Sequence, residues 1–81
     1  MNYGQALEAL KDGKKVARSG WNGRGIFVAL QVPDEHSKMR FPYTYIDTTG
    51  LESENADARR VCVPWLPSQT DQLSEDWYVV N

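Results

Sequence analysis

The stretch KVARSGWNGRGIFVALQV, residues 15–32, decides how this chain folds. Its opening, Lys15 to Ser19, alternates charged and apolar residues around Val16 and Ala17, as a half-buried strand does. Its close, Ile26 to Val32, is apolar on both faces and predicts a central strand covered on both sides. Between them, Asn22-Gly23 is a strong hairpin signal, because both central residues of a type I′ turn need positive φ. An antiparallel pair is therefore the expected nucleus of the sheet.

Upstream, Asn2 and Gln5 form a capping pair, and Tyr3, Ala6, Leu7 and Leu10 share one face at helical spacing. Gly13 supplies a left-handed stop, which predicts a helix over Tyr3 to Asp12. Downstream, Pro33 ends the second strand and Asp34 to Arg40 reads as a polar loop. From Tyr43 to Thr48, Tyr43, Tyr45 and Asp47 take one face and Thr44, Ile46 and Thr48 the other. Gly50 to Ala58 is acidic and predicts an exposed, mobile loop. Val61, Val63 and Trp65 line a further strand that Pro64 places at an edge. Ser68 caps a short helix through Leu73, and Trp77 to Val80 closes the sheet. The predicted class is α+β: a small, mainly antiparallel sheet with an N-terminal helix and a short C-terminal helix.

At 81 residues the chain is expected to form a single domain with a thin core. Domains of this size often need a disulfide, a metal or a partner chain. With one cysteine (Cys62) and one histidine (His36), no disulfide or zinc framework can form within the chain, so a homo-oligomer is the expected staple. Three Trp, four Tyr and two Phe supply material for an interface or a pocket. The start lacks a signal-peptide pattern, and no apolar run approaches the roughly 20 residues that span a bilayer. The unpaired cysteine suits a reducing cytosol. A net charge of −2 argues against binding long nucleic acid. Locally, Lys11, Lys14, Lys15, Arg18 and Arg24 make the first third basic, while Asp47, Glu52, Glu54 and Asp57 form an acidic segment. Such a cationic surface can attract a small anion, or simply be a solvated face.

Little in the chain could perform catalysis. His36 lies in the polar loop without an evident nucleophile, and Cys62 between Val61 and Val63 reads as an inert, buried thiol. Neighbouring Glu75 and Asp76 face different ways, and the glycines of GWNGRG match neither a Rossmann fingerprint nor a P-loop. No metal or cofactor is expected.

Two aromatic-plus-amide patches remain: Trp21-Asn22-Gly23, and Trp65 through Ser68-Gln69-Thr70-Asp71. Each has a plain structural use, the first as a turn with a packing Trp and the second as a helix cap. Each also suits a nucleotide. An indole face stacks on a purine for roughly 1–3 kcal/mol, and the Asn22 amide can read a base edge or a ribose hydroxyl. Gln69 and Thr70 would be polar contacts, with Asp71 as an acceptor for ribose hydroxyls or an adenine amino group. Arg18, Arg24, Arg59 or Arg60 would neutralise phosphates, and the sequence does not choose among them. Trp77 reads as core.

The opening NYGQALEALK, the following GKKVARSGWNG and the ending WLPSQTDQLSEDW together resemble the phage Thoeris anti-defence proteins of the second type, over the whole length. The resemblance implies a non-enzymatic sponge. It would bind cyclic ADP-ribose isomers made by the bacterial Thoeris sensor, in some members also cyclic dinucleotides, and withhold them from the effector in the host cytosol. It further implies a homotetramer with ligand pockets between subunits, and Trp21, Asn22, Gln69, Thr70 and Asp71 as the site. Two other functions stay open beside it: an inhibitor that blocks a host enzyme with the acidic Asp47 to Asp57 loop, and a hydrolase that destroys the signal.

Overall fold

The computed structural model describes residues Met1–Asn81. Helix α1 spans Tyr3–Lys11 and begins with a reciprocal capping box. The Gln5 amide donates to Asn2 Oδ1 (2.8 Å) and the Asn2 amide to Gln5 Oε1 (2.9 Å). It ends in a Schellman motif: Gly13 takes φ 86°, with Gly13 N donating to Leu10 O and Lys14 N to Ala9 O. The apolar face buries Ala6 and Leu10 completely.

Five strands follow: β1 (Lys15–Arg18), β2 (Phe27–Gln31), β3 (Tyr43–Asp47), β4 (Cys62–Pro64) and β5 (Trp77–Val80), with α2 (Gln69–Leu73) between the last two. They form one sheet in the order β4-β3-β2-β1-β5, with every neighbouring pair antiparallel. The α+β class is thus as expected. Pro64 lies on an edge strand, where its missing donor does no harm.

The register aligns Val79, Val16, Val28, Ile46 and Val63 in one row. Helix α1 packs on that side, and Ala6, Leu10, Val16, Val28 and Trp77 make the core. Tyr3, Trp21, Trp65 and Trp77 extend it as an aromatic cluster, their ring centroids 5.3–6.4 Å apart and tilted or edge-on. Trp77 is core, as its sequence context suggests.

Three local expectations are corrected. Asn22-Gly23 is not a type I′ turn, since positive φ occurs only at Gly13 and Gly25. The Ser19 amide instead donates to Asp76 O and the Trp21 amide to Arg18 O. The chain thus swings toward β5 and sinks the Trp21 ring into the aromatic cluster, which outweighs a tight hairpin. Strand β2 is central but covered on one side only. The other face carries Phe27, Ala29, Tyr43, Tyr45 and Tyr78, with no element over it; Phe27 is capped by Lys15 Nζ at 4.7 Å. Cys62 belongs to that open face and is exposed, not buried.

Candidate functional site

A cleft of about 580 Å³ opens where β1 ends, lined by Arg18, Trp21, Asn22, Arg24, Ile26 and Tyr78 among others. This falls within the range of small-molecule sites, roughly 300–1,000 Å³. The segment from Ser19 to Ile26 builds most of its wall, because the chain must travel from β1 to β2 while anchored by Trp21. Asn22 is exposed at the rim.

Beneath the cleft lies a charge network that fixes Trp21. Arg18 Nη1 donates to Asp71 Oδ1 (2.7 Å) and Arg18 Nε to Asp76 Oδ1 (2.8 Å). These side chains are 13%, 12% and 30% exposed respectively, so the pairs are poorly screened by solvent. The Trp21 indole N–H donates to the same Asp71 Oδ1 (3.2 Å). Asp71 Oδ2 accepts from the Ser68 amide (3.1 Å) and hydroxyl (2.9 Å), while Ser68 Oγ accepts from the Asp71 amide, closing a capping box. The Gly20 amide donates to Asp76 Oδ2 (2.8 Å), and the Trp77 indole N–H donates to Asp71 O (2.9 Å).

Both carboxyls sit below their ordinary range. Burial pushes Asp71 upward, but the bonds from Arg18, Trp21 and Ser68 outweigh it. For Asp76 the Arg18 hydrogen bond leads, helped by the Gly20 amide. The Arg18 guanidinium is correspondingly raised by Asp76 and Asp71.

Of the residues singled out from the sequence, Trp21 and Asn22 line the cleft together. Asp71 lies under Trp21 with both oxygens engaged by protein donors. Gln69 and Thr70 stand exposed on α2 and do not line the cleft of the single chain. Sequence reasoning missed Asp76. Its partner Arg18 is 58 positions away, and only the pairing of β1 with β5 brings the two together.

The acidic segment is mostly exposed, as expected, and is tied to its surroundings by hydrogen bonds. Glu52 N donates to Arg24 O (2.9 Å) as an isolated bridge, and Arg60 donates to the carbonyls of Leu51, Ser53 and Ala58. At Gly25, with φ 81°, an added Cβ would collide with Gly50 O. Only glycine allows this close approach. The loop after β3 therefore buttresses the cleft wall. A second, more apolar concavity of about 460 Å³ lies between Met39–Thr44 and Pro64–Trp65.

Chemically reactive groups are sparse. His36 is exposed beside Glu35 (3.3 Å). The Cys62 thiol is pushed above its ordinary pKa by partial desolvation and by neighbouring Asp47, which disfavours the nucleophilic thiolate. No group of three or more His, Cys, Asp or Glu side chains is placed to hold a metal, and no helix is long and apolar enough to cross a membrane.

Comparison with known proteins agrees with the motif blocks. The family model of the Tad2-like, or Thoeris anti-defense 2-like, domain matches residues 1–80. The chain is also 40% identical over 87 residues to the protein named Thoeris anti-defense 2 of Bacillus phage SP01, covering 100% of this chain and 96% of that one. A match of this extent and identity places the chain in the Thoeris anti-defense 2-like family.

Proposed function

We propose that this protein is a phage inhibitor of Thoeris defence that works as a sponge, binding a cyclic ADP-ribose isomer and leaving its covalent bonds intact. Family membership supports the Thoeris-inhibiting role. One observation carries the mechanism: the cleft joins an indole, an unengaged amide and arginines, and holds no nucleophile paired with a base. The Trp21 ring stacks on the base, and Asn22 reads its edge or a ribose hydroxyl. Asp71 serves the site from below by holding Trp21, since its own oxygens are already bonded. Cyclic dinucleotides, the messengers of related defence systems such as CBASS, offer the same purine and phosphate chemistry and are secondary ligands on this reading.

The active form is a homo-oligomer, a tetramer as in the family it resembles. The open sheet face with Phe27, Tyr45 and Tyr78 supports this, as do Phe41 and Leu66, 82% and 88% exposed. Gln69 and Thr70 then reach the ligand from a neighbouring subunit. The protein acts in the cytosol of the infected host, where the signal is made.

Calorimetry against cyclic ADP-ribose isomers and cyclic dinucleotides tests the ligand class. Asn22→Ala is the clean variant, because the side chain makes no internal hydrogen bond. It is expected to weaken binding at least tenfold, about 1.4 kcal/mol. Heat flows identical to the parent protein would remove Asn22 from the site. If the acidic loop instead blocked a host enzyme, charge reversal at Glu52 and Glu54 would abolish inhibition while Asn22→Ala would not.

A further inference from the structure

We infer that Arg24 is the residue that recognises phosphate in this cleft, and hence that the cleft selects phosphate-bearing nucleotides over nucleosides. This rests on the nucleotide-binding reading above. Four arginines could serve from sequence, and their surroundings separate them. Arg18 lines the cleft, but its guanidinium is held by Asp71 at 2.7 Å and Asp76 at 2.8 Å. Two carboxylates more than neutralise it, so a third anion would gain little there. Arg60 donates Nε, Nη1 and Nη2 to the carbonyls of Leu51, Ala58 and Ser53, and thus organises the loop. Arg59 does not line the cleft of the single chain, and its own variant tests whether a neighbouring subunit brings it in.

Arg24 does line it, in company with Trp21 and Asn22, and makes no ion pair or side-chain hydrogen bond within the chain. Its charge is the uncompensated one in the cleft. Its backbone is also fixed. Arg24 O accepts from the Glu52 amide at 2.9 Å, and Gly25 packs against the Gly50 carbonyl so closely that no side chain fits. A guanidinium on a pinned backbone offers a phosphate two parallel donors from a fixed point of the cleft wall. The indole and Arg24 thereby divide the ligand, base to one and phosphate to the other.

The test titrates the intact protein with cyclic ADP-ribose, ADP-ribose and adenosine at low and high salt. Arg24→Gln should weaken the two phosphate-bearing probes about tenfold or more, as expected for a lost charge-assisted bond. It should also flatten their salt dependence. Arg24→Lys should keep that salt dependence with a smaller loss, and Arg59→Gln should match the parent. Circular dichroism checks that each variant folds, and the parent's own salt dependence is a measurement free of mutation. Parent affinity that ignores salt overturns the inference, and so does Arg24→Gln binding like the parent or Arg59→Gln falling equally far. Those outcomes leave nucleotide binding standing. A parent that binds none of the probes overturns the inference, and the nucleotide-binding reading falls with it only if the panel of isomers and cyclic dinucleotides above also fails.

Discussion

At the scale of the residue, Asp71 does the most. It neutralises Arg18, anchors the Trp21 indole, caps α2 through Ser68, and its carbonyl receives the Trp77 indole. Its carboxyl and that of Asp76 are depressed in the folded state. A depressed acid contributes stability above its unfolded pKa, near 3.9, and loses it as pH falls through the lower folded value. The melting temperature should therefore hold steady between about pH 7 and pH 5 and drop below about pH 4. Asp71→Asn should cost about 1–3 kcal/mol at neutral pH and shrink that acid drop, as read by thermal melts across pH. A variant melting like the parent at every pH would show that the network contributes nothing. The Ser68-x-x-Asp71 spacing predicts a cap, and the structure has it. The spacing could not display the second use of the same carboxylate, because Arg18 and Trp21 lie at least 50 positions away.

At the scale of the element, the legible features were local ones. The caps of α1 and α2, the alternation along β3 and the edge position of β4 all follow from nearest-neighbour chemistry, and all are present. The connection from β1 to β2 was misread because Asn-Gly carries a turn preference worth less than burying an indole. The same reasoning separates two glycines. Gly13 has open space around it, so Gly13→Ala meets only the positive-φ penalty, about 1–2 kcal/mol. Gly25→Ala adds a clash with the Gly50 carbonyl and should cost clearly more, with the cleft wall displaced. Urea denaturation of the two variants gives the order. Equal losses would mean that the two loops are not clamped together. The polar composition of the acidic loop predicts its exposure, which is what the structure has; the hydrogen bonds that Arg60 gives to the loop carbonyls do not follow from composition.

At the scale of the whole molecule, only seven of 81 residues are buried, which leaves a thin core and a sheet with one bare face. Neither fact was visible in the strand β2 pattern, which reads the same whether a helix or another subunit covers its second side. Sedimentation equilibrium should find a multiple of the 9.2 kDa chain, and Tyr45→Glu on the bare face should shift it toward the monomer. A parent protein that sediments at 9.2 kDa would contradict the oligomer. The two site patches belong to this scale as well: Trp21 and Asn22 meet in one chain, whereas on the proposed reading Gln69 and Thr70 join them through assembly. What the protein does to the proposed ligand is the central question, and one measurement addresses it directly. The protein is saturated with a cyclic ADP-ribose isomer, freed of unbound ligand and heat-denatured, and the released material is resolved by chromatography. The sponge account predicts the intact cyclic nucleotide in stoichiometric amount; recovery of linear or cleaved fragments, or of nothing, would contradict it.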